Sequence, residues 1–190
     1  MKHLSLLILI LFSSECIFSQ KLSERFRPTY LTGQYAGSMG FASIGVGSSV
    51  TTKTTLSLHY GYVPSEFGGK LHINTLKYSY QPFFLKHRNV QWKPLNPTFF
   101  ITYHWGNKYY VFWPKDMYPK DYYWWTSAFR FHPALSSELT LMKKNEQPLA
   151  SLFLEANTND LYIFSYYKNQ EYLSLADIIK LGAGIKIHFQ

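Results

Sequence analysis

Residues 181–189, with the sequence LGAGIKIHF, alternate between apolar and polar side chains from one end to the other. Successive side chains of a β-strand point to opposite faces, so this stretch predicts a strand with one apolar face and one polar face. The apolar parity contains Leu181, Ala183, Ile185, Ile187 and Phe189, and the polar parity contains Gly182, Gly184, Lys186 and His188.

The same alternation recurs along most of the chain. It is present in residues 55–62, 75–81, 98–105, 129–132, 135–141 and 150–155, and the Gly-rich residues 39–50 add a further candidate strand. Phe100 and Phe153 fall on the polar parity and are exceptions to the pattern. These segments predict an all-β fold, an antiparallel barrel of about eight strands. Residues 160–168 and 174–181 predict short helical turns in the C-terminal third.

The first twenty residues have the layout of a secretory signal peptide. Met1-Lys2-His3 precede an apolar run at residues 4–12, and residues 13–20 are more polar. This run is too short to span a bilayer, which needs about 20 apolar residues. We therefore expect a signal peptide at residues 1–20 and one barrel domain at residues 21–190. Lipidation at Cys16, the only cysteine, is the alternative form of processing.

The composition favours a membrane interface. Aromatic residues make up 19% of the chain, and tyrosine and tryptophan prefer the headgroup layer of a membrane. The formal net charge of +8 favours an anionic partner, and lipopolysaccharide is one such surface. Nucleic acid is not an expected partner, because the chain has no basic face interleaved with stacking aromatic residues.

Alternation alone fits two kinds of barrel. A secreted lipocalin-like carrier would turn the apolar parity inward, whereas an outer-membrane barrel would turn it toward lipid. Small residues on the polar parity, such as Ser57, Gly61 and Gly184, indicate a narrow lumen. They therefore favour an antiparallel transmembrane barrel over a soluble one. Aromatic residues near strand ends predict a rim against the membrane or a docking surface for another outer-membrane protein. This group contains Tyr109, Tyr110, Trp113, Tyr122, Tyr123, Trp124 and Trp125.

The polar parity predicts a plugged lumen in which charged side chains are paired. An eight-stranded barrel is only wide enough for its own side chains to fill it. Buried charges without partners are costly, so basic and acidic groups are expected to meet. The predicted network contains His59, Lys77, His104, Arg130, His132, Glu138, Glu155, Lys186 and His188.

Two features resemble a known group of proteins. The final strand resembles the C-terminal assembly signal of bacterial outer-membrane barrels, although Phe189 is penultimate here and Gln190 follows it. The mature chain, with its segment Tyr60-Gly-Tyr-Val-Pro64, resembles the small eight-stranded barrels that include lipid A deacylases and the transmembrane domain of outer-membrane protein A. This resemblance implies a location in the outer membrane of a Gram-negative bacterium.

The sequence contains no recognisable catalytic motif. Lipid A deacylases carry a His-x-Ser pair, and no serine stands two residues after any histidine beyond His3. A Gly-x-Ser-x-Gly elbow and closely spaced metal ligands are also missing. We therefore expect a non-enzymatic, structural or complex-forming barrel without cofactor or metal, whose partners are outer-membrane lipid and lipopolysaccharide. An enzyme that modifies membrane lipid and a lipocalin-like carrier are the alternative hypotheses.

Overall fold

The computed structural model describes residues 27–113 and 126–189. The predicted signal peptide, Cys16 and the rim residues Tyr122, Tyr123, Trp124 and Trp125 lie outside these described residues. Everything that follows concerns the two described ranges.

The described chain is almost entirely β-structure. Its helical parts are a 3-10 turn at Ser65–Phe67 and the helices α1 (Asp160–Lys168) and α2 (Leu175–Ile178). Its strands are β1 (Tyr30–Ala36), β2 (Ala42–Ser49), β3 (Thr54–Val63), β4 (Leu71–Tyr80), β5 (Leu85–His87), β6 (Val90–Trp105), β7 (Phe129–Met142), β8 (Pro148–Asn157) and β9 (Lys180–His188). The predicted all-β fold is confirmed.

Eight of these strands close into an antiparallel barrel, as predicted. Apart from β5, each strand pairs with the strands before and after it in the chain. Strand β4 pairs with β6, and β1 pairs with β9 to complete the circle. Tyr30 lies opposite His188 at this closing seam. The short strand β5 continues the line of β4 and pairs only with the start of β6, where Leu85 lies opposite Trp92.

The two parities of each strand face opposite environments. In β4, Thr75 and Lys77 face inward and are 1% and 6% exposed, whereas Leu76 and Tyr78 face outward and are 44% and 46% exposed. The same division runs through the other strands of the barrel. The polar parity therefore fills the interior, and the apolar parity covers the outer wall.

The two ends of the barrel differ. One end, which we call the terminal end, holds both described chain ends and the connections at residues 50–53, 81–89 and 143–147. The opposite loop end holds residues 37–41, 64–70 and 158–179, together with the described residues 106–113 and 126–128 of the connection between β6 and β7. The connections from β6 to β7 and from β8 to β9 are the two longest in the sequence. Within the described residues, no helix is long and apolar enough to cross a membrane.

Some element boundaries differ from the prediction. Strand β1 was not predicted, and residues 129–132 and 135–141 form the single strand β7. Pro133 does not interrupt β7, because its carbonyl faces Thr158 beyond the end of β8, where a missing N–H breaks no ladder hydrogen bond. Residues 39–41 belong to the β1–β2 turn, and the second helix ends at Ile178 because β9 begins at Lys180.

Candidate functional site

The centre of the lumen holds an ion pair between β4 and β8. Lys77 Nζ lies 2.6 Å from Glu155 Oε2, and the two side chains are 8% and 0% exposed. Gln34 on β1 bridges the pair, since its Oε1 accepts from Lys77 at 3.1 Å and its Nε2 donates to Glu155 Oε1 at 3.2 Å. This group crosslinks three strands and buries no net charge.

A second ion cluster lies nearer the terminal end. Glu138 on β7 accepts from Lys186 through Oε2 and from Lys93 Nζ through Oε1 at 3.1 Å. Thr140 Oγ1 also donates to Oε1, at 3.2 Å. Lys93 is absent from the predicted network because it precedes a register shift in β6 between Lys93 and Asn96, in a stretch whose prolines obscure the alternation.

The inward aromatic residues contact these lysines. The ring of Phe153 lies between Lys77 and Lys186, whose Nζ atoms are 5.3 and 5.2 Å from its centroid. Lys77 also lies 5.6 Å from Phe100, and Lys186 lies 5.2 Å from Tyr30. The two phenylalanines that break the sequence pattern therefore provide ring faces for buried cations.

Two inward glycines make room for these rings. A Cβ atom on Gly47 would lie 2.1 Å from Cζ of Tyr30, and one on Gly184 would lie 2.3 Å from Cζ of Phe153. Both distances are far inside van der Waals contact. The small residues of the polar parity thus serve to accommodate large side chains from neighbouring strands.

The inward histidines take part in local packing. His59 Nε2 lies 2.9 Å from Ser57 Oγ, and His188 Nε2 lies 2.9 Å from Ser151 Oγ. His132 Nε2 lies 3.1 Å from Thr102 Oγ1, and its ring stacks on Phe100 at 4.4 Å. His104 packs its ring 5.4 Å from that of Tyr109. Among the described residues, no three His, Cys, Asp or Glu side chains lie close enough together to hold a metal ion.

Arg130 lies apart from both ion clusters. Its Nη1 donates to the backbone carbonyls of Thr126 and Phe129, and its Nε lies 4.0 Å from Asp160 Oδ1. Basic and acidic side chains therefore form ion pairs in two different places. Lysines pair with the two glutamates in the lumen, and Arg130 joins β7 to the first residue of α1.

The loop end of the lumen is closed by the β1–β2 turn. Met39 of this turn is fully buried, and the carbonyl of Gly37 accepts from Asn157 Nδ2 at 2.8 Å. Gly37 and Gly40 have positive φ angles of 76° and 116°, which let the backbone fold inward. Phe41 stacks on Phe67 at 4.5 Å and covers the turn from outside.

Little space remains inside the barrel. A cavity of about 10 Å³ beside Lys77 and His59 has room for about one water molecule. A pocket of about 160 Å³ opens at the terminal end, lined by residues that include Thr55, Gln91 and Lys93. Ser57 and His59 together line the smaller cavity, which has no room for more than a water molecule beside the two side chains.

The described part of the aromatic rim is anchored to the barrel. The Tyr110 carbonyl accepts from the backbone N–H groups of Ser127 and Ala128, at 3.0 and 3.1 Å. The Tyr110 ring lies 5.4 Å from that of Trp113. These contacts hold residues on both sides of the 114–125 segment together.

The geometry thus describes a filled lumen that crosslinks the strands of the wall. Comparison with known proteins adds no family to this picture, since the chain matches no family model and no curated protein.

Proposed function

We propose that this protein is an integral outer-membrane β-barrel, exported through a signal peptide at residues 1–20, with a structural or complex-forming role and no enzymatic activity. The observation that supports the proposal most strongly is the inverted distribution of its side chains. Charged and polar groups fill the interior, and apolar groups cover the outer wall.

Every strand of the closed barrel contributes to this inversion. The outward apolar residues, each at least 40% exposed, include Leu31, Val46, Leu58, Leu76, Phe99, Leu139, Leu152 and Ile185. In water, an apolar surface that surrounds the molecule would be a severe aggregation liability. In a bilayer, the same surface meets hydrocarbon, and a closed sheet leaves no unpaired backbone edge.

The interior argues against the lipocalin-like carrier. Such a carrier needs an apolar cavity for its ligand, whereas the buried side chains of Lys77, Glu138 and Glu155 occupy the interior of this barrel. The Gln34 bridge and the buried Met39 leave no room for an apolar ligand beside them.

The unequal ends support an orientation. Outer-membrane barrels have short turns on the periplasmic side and longer loops outside. The two longest connections, from β6 to β7 and from β8 to β9, both leave the barrel at the loop end, so we place this end at the cell surface and the terminal end in the periplasm. Lipopolysaccharide then surrounds the loop end.

Membrane fractionation tests the location. We expect the protein to sediment with the outer membrane and to resist extraction with sodium carbonate, because its apolar wall is held in the hydrocarbon layer. Release into the soluble fraction would overturn the proposal. The enzyme hypothesis has a separate test, in which a changed lipid A acylation pattern in a deletion strain would contradict the absence of activity.

A further inference from the structure

A polar cluster interrupts the apolar outer wall close to the loop end. Tyr60, Asn74 and Tyr103 lie side by side on β3, β4 and β6 in one register row, and all three belong to the outward parity. His72 lies on β4 one outward position nearer the loop end. Tyr60 Oη and His72 Nδ1 are 2.5 Å apart, so the pair is hydrogen-bonded on the outer face of the wall.

Part of this cluster has no protein partner. Within the part of the chain that the structure describes, the Asn74 carboxamide makes no hydrogen bond, and His72 makes none through Nε2. Asn74 is nevertheless flanked by two tyrosines and followed on its own face by Leu76. A polar group at the edge of hydrocarbon needs a hydrogen-bond partner. For Asn74 and His72, that partner must be a molecule outside the barrel wall.

An open apolar groove adjoins this cluster and extends sideways across neighbouring strands of the wall. It has a volume of about 750 Å³, and Tyr60, Asn74 and Tyr103 line its polar end. The rest of its lining is largely aliphatic and includes Leu31, Ile44, Val46, Leu58, Leu76 and Ile101. The arrangement places hydrogen-bonding groups beside an open apolar groove on the surface, which matches the layout of an amphipathic ligand.

Basic side chains at the same end of the groove favour a ligand that carries a phosphate. Lys70 directly precedes β4, two residues from His72, and Lys108 follows Trp105, which lies opposite His72 in the register. Both lysines are exposed. Glu66, the acidic residue of the β3–β4 connection, accepts from the Ser65 hydroxyl and keeps its negative charge, so these two lysines and Glu66 together carry a net positive charge. Two lysines and an imidazole above an apolar groove complement a phosphate that carries acyl chains.

We infer that this face is a binding site for one lipid A moiety of lipopolysaccharide. Its phosphate contacts His72, Asn74 and the rim lysines, and an acyl chain occupies the groove beside Leu58 and Leu76. The inference rests on the proposed location, because the loop end meets the lipopolysaccharide leaflet only if the barrel lies in the outer membrane.

Native mass spectrometry of the folded, delipidated protein in detergent tests the site. Purified lipid A is titrated against the protein, and phosphatidylcholine of matched chain length serves as the zwitterionic comparison. We expect one lipid A adduct at concentrations at least tenfold below those that give a phosphatidylcholine adduct. Equal binding of the two lipids would overturn the inference, because a nonspecific apolar belt makes no such distinction.

Three variants test whether lipid A binds in the groove or anywhere on the apolar wall. The double variant Asn74→Leu, His72→Phe removes the polar contacts, and Leu58→Trp fills the groove, so each should weaken lipid A binding at least tenfold. Leu152→Trp is the matched control, since Leu152 is 63% exposed and Leu58 is 60% exposed, but only Leu58 lines the groove. Unchanged binding in the first two variants, or an equal loss in the control, would overturn the site.

The two proposals fail in different ways. Binding in detergent does not depend on where the protein resides in the cell. A protein that is absent from the outer membrane but still binds lipid A through His72 and Asn74 overturns the location alone. A protein found in the outer membrane with indiscriminate lipid binding overturns the lipid site alone.

Discussion

At the scale of single residues, the central ion pair makes a quantitative prediction. Glu155→Ala leaves the Lys77 ammonium buried without its carboxylate, which typically costs about 3 to 5 kcal/mol. We expect the temperature at which the folded band converts to the unfolded band on unboiled gels to fall clearly. Glu146→Ala is the control, because Glu146 pairs with Lys86 on the surface and its side chain is 76% exposed. Equal conversion temperatures in the two variants would contradict the buried pair.

Gly184→Ala tests the packing of the lumen. The added Cβ would lie 2.3 Å from Cζ of Phe153 and 2.6 Å from the carbonyl oxygen of Gly33, so the ring must leave its place between the lysines. Overpacking of this kind costs about 1 to 3 kcal/mol. Gly33→Ala is the matched control on the adjacent strand, since its nearest atom would be 3.9 Å away. Thermal denaturation of both variants should show a loss of stability in Gly184→Ala only.

The sequence allowed the inward residues to be predicted better than their partners. Parity assigns Lys77, Glu138 and Glu155 to one face, because a strand alternates strictly. Parity does not say that Gln34 joins Lys77 to Glu155, since that contact depends on how β1 aligns with distant strands. The site proposed for lipid A was not predicted either, because His72 and Asn74 precede the segment in which alternation was recognised.

At the scale of elements, the predicted number of strands was right for partly compensating reasons. Residues 129–132 and 135–141 counted as two segments, yet they form the single strand β7. Strand β1, YLTGQYA, escaped detection because Gly33 stands on its apolar parity and Tyr30 on its polar parity. Both effects arise from packing around the closing seam and the end of β8, which a local pattern does not contain.

The helix α2 makes a prediction about pH. The Asp177 carboxylate accepts from the Ser174 hydroxyl at 2.7 Å and the Ser174 backbone N–H at 2.8 Å, and these hydrogen bonds lower the pKa of Asp177. The ionised form therefore stabilises the start of α2 above the ordinary pKa, and this contribution is lost as the pH falls through the lowered value.

Hydrogen exchange measured at the Ser174 amide checks this cap. Protection, corrected for the intrinsic pH dependence of exchange, should fall in acid in the unmodified protein. The Asp177→Asn variant should show low protection that does not vary with pH. A profile in the unmodified protein that matches the variant would contradict the role of Asp177.

At the scale of the whole molecule, the unequal ends predict which loops antibodies reach. An epitope inserted between Asn169 and Gln170, in the connection from β8 to β9, should be detected on intact cells. The same epitope between Lys144 and Asn145, in the β7–β8 turn, should be detected only after the outer membrane is permeabilised. The reverse result would invert the orientation of the barrel.

The filled lumen predicts that the protein conducts no ions. The Lys77–Glu155 pair, the Phe153 ring and the buried Met39 occupy successive levels of the interior. Planar bilayers containing the purified protein should therefore show no steady conductance above the bare membrane, whereas a large porin measured in parallel should. Steady channel currents that scale with the amount of protein would contradict the plug.

The seam between β1 and β9 has a consequence for the order in which the barrel forms. Residues 30–36 pair with residues 182–188. One edge of the first strand therefore has no partner until nearly all of these residues of the barrel are present. Contacts this distant in sequence carry the largest loop-closure entropy and slow folding. We therefore expect closure to be the last and slowest stage of folding, and a chain truncated before β9 to keep two open edges that can pair with other chains.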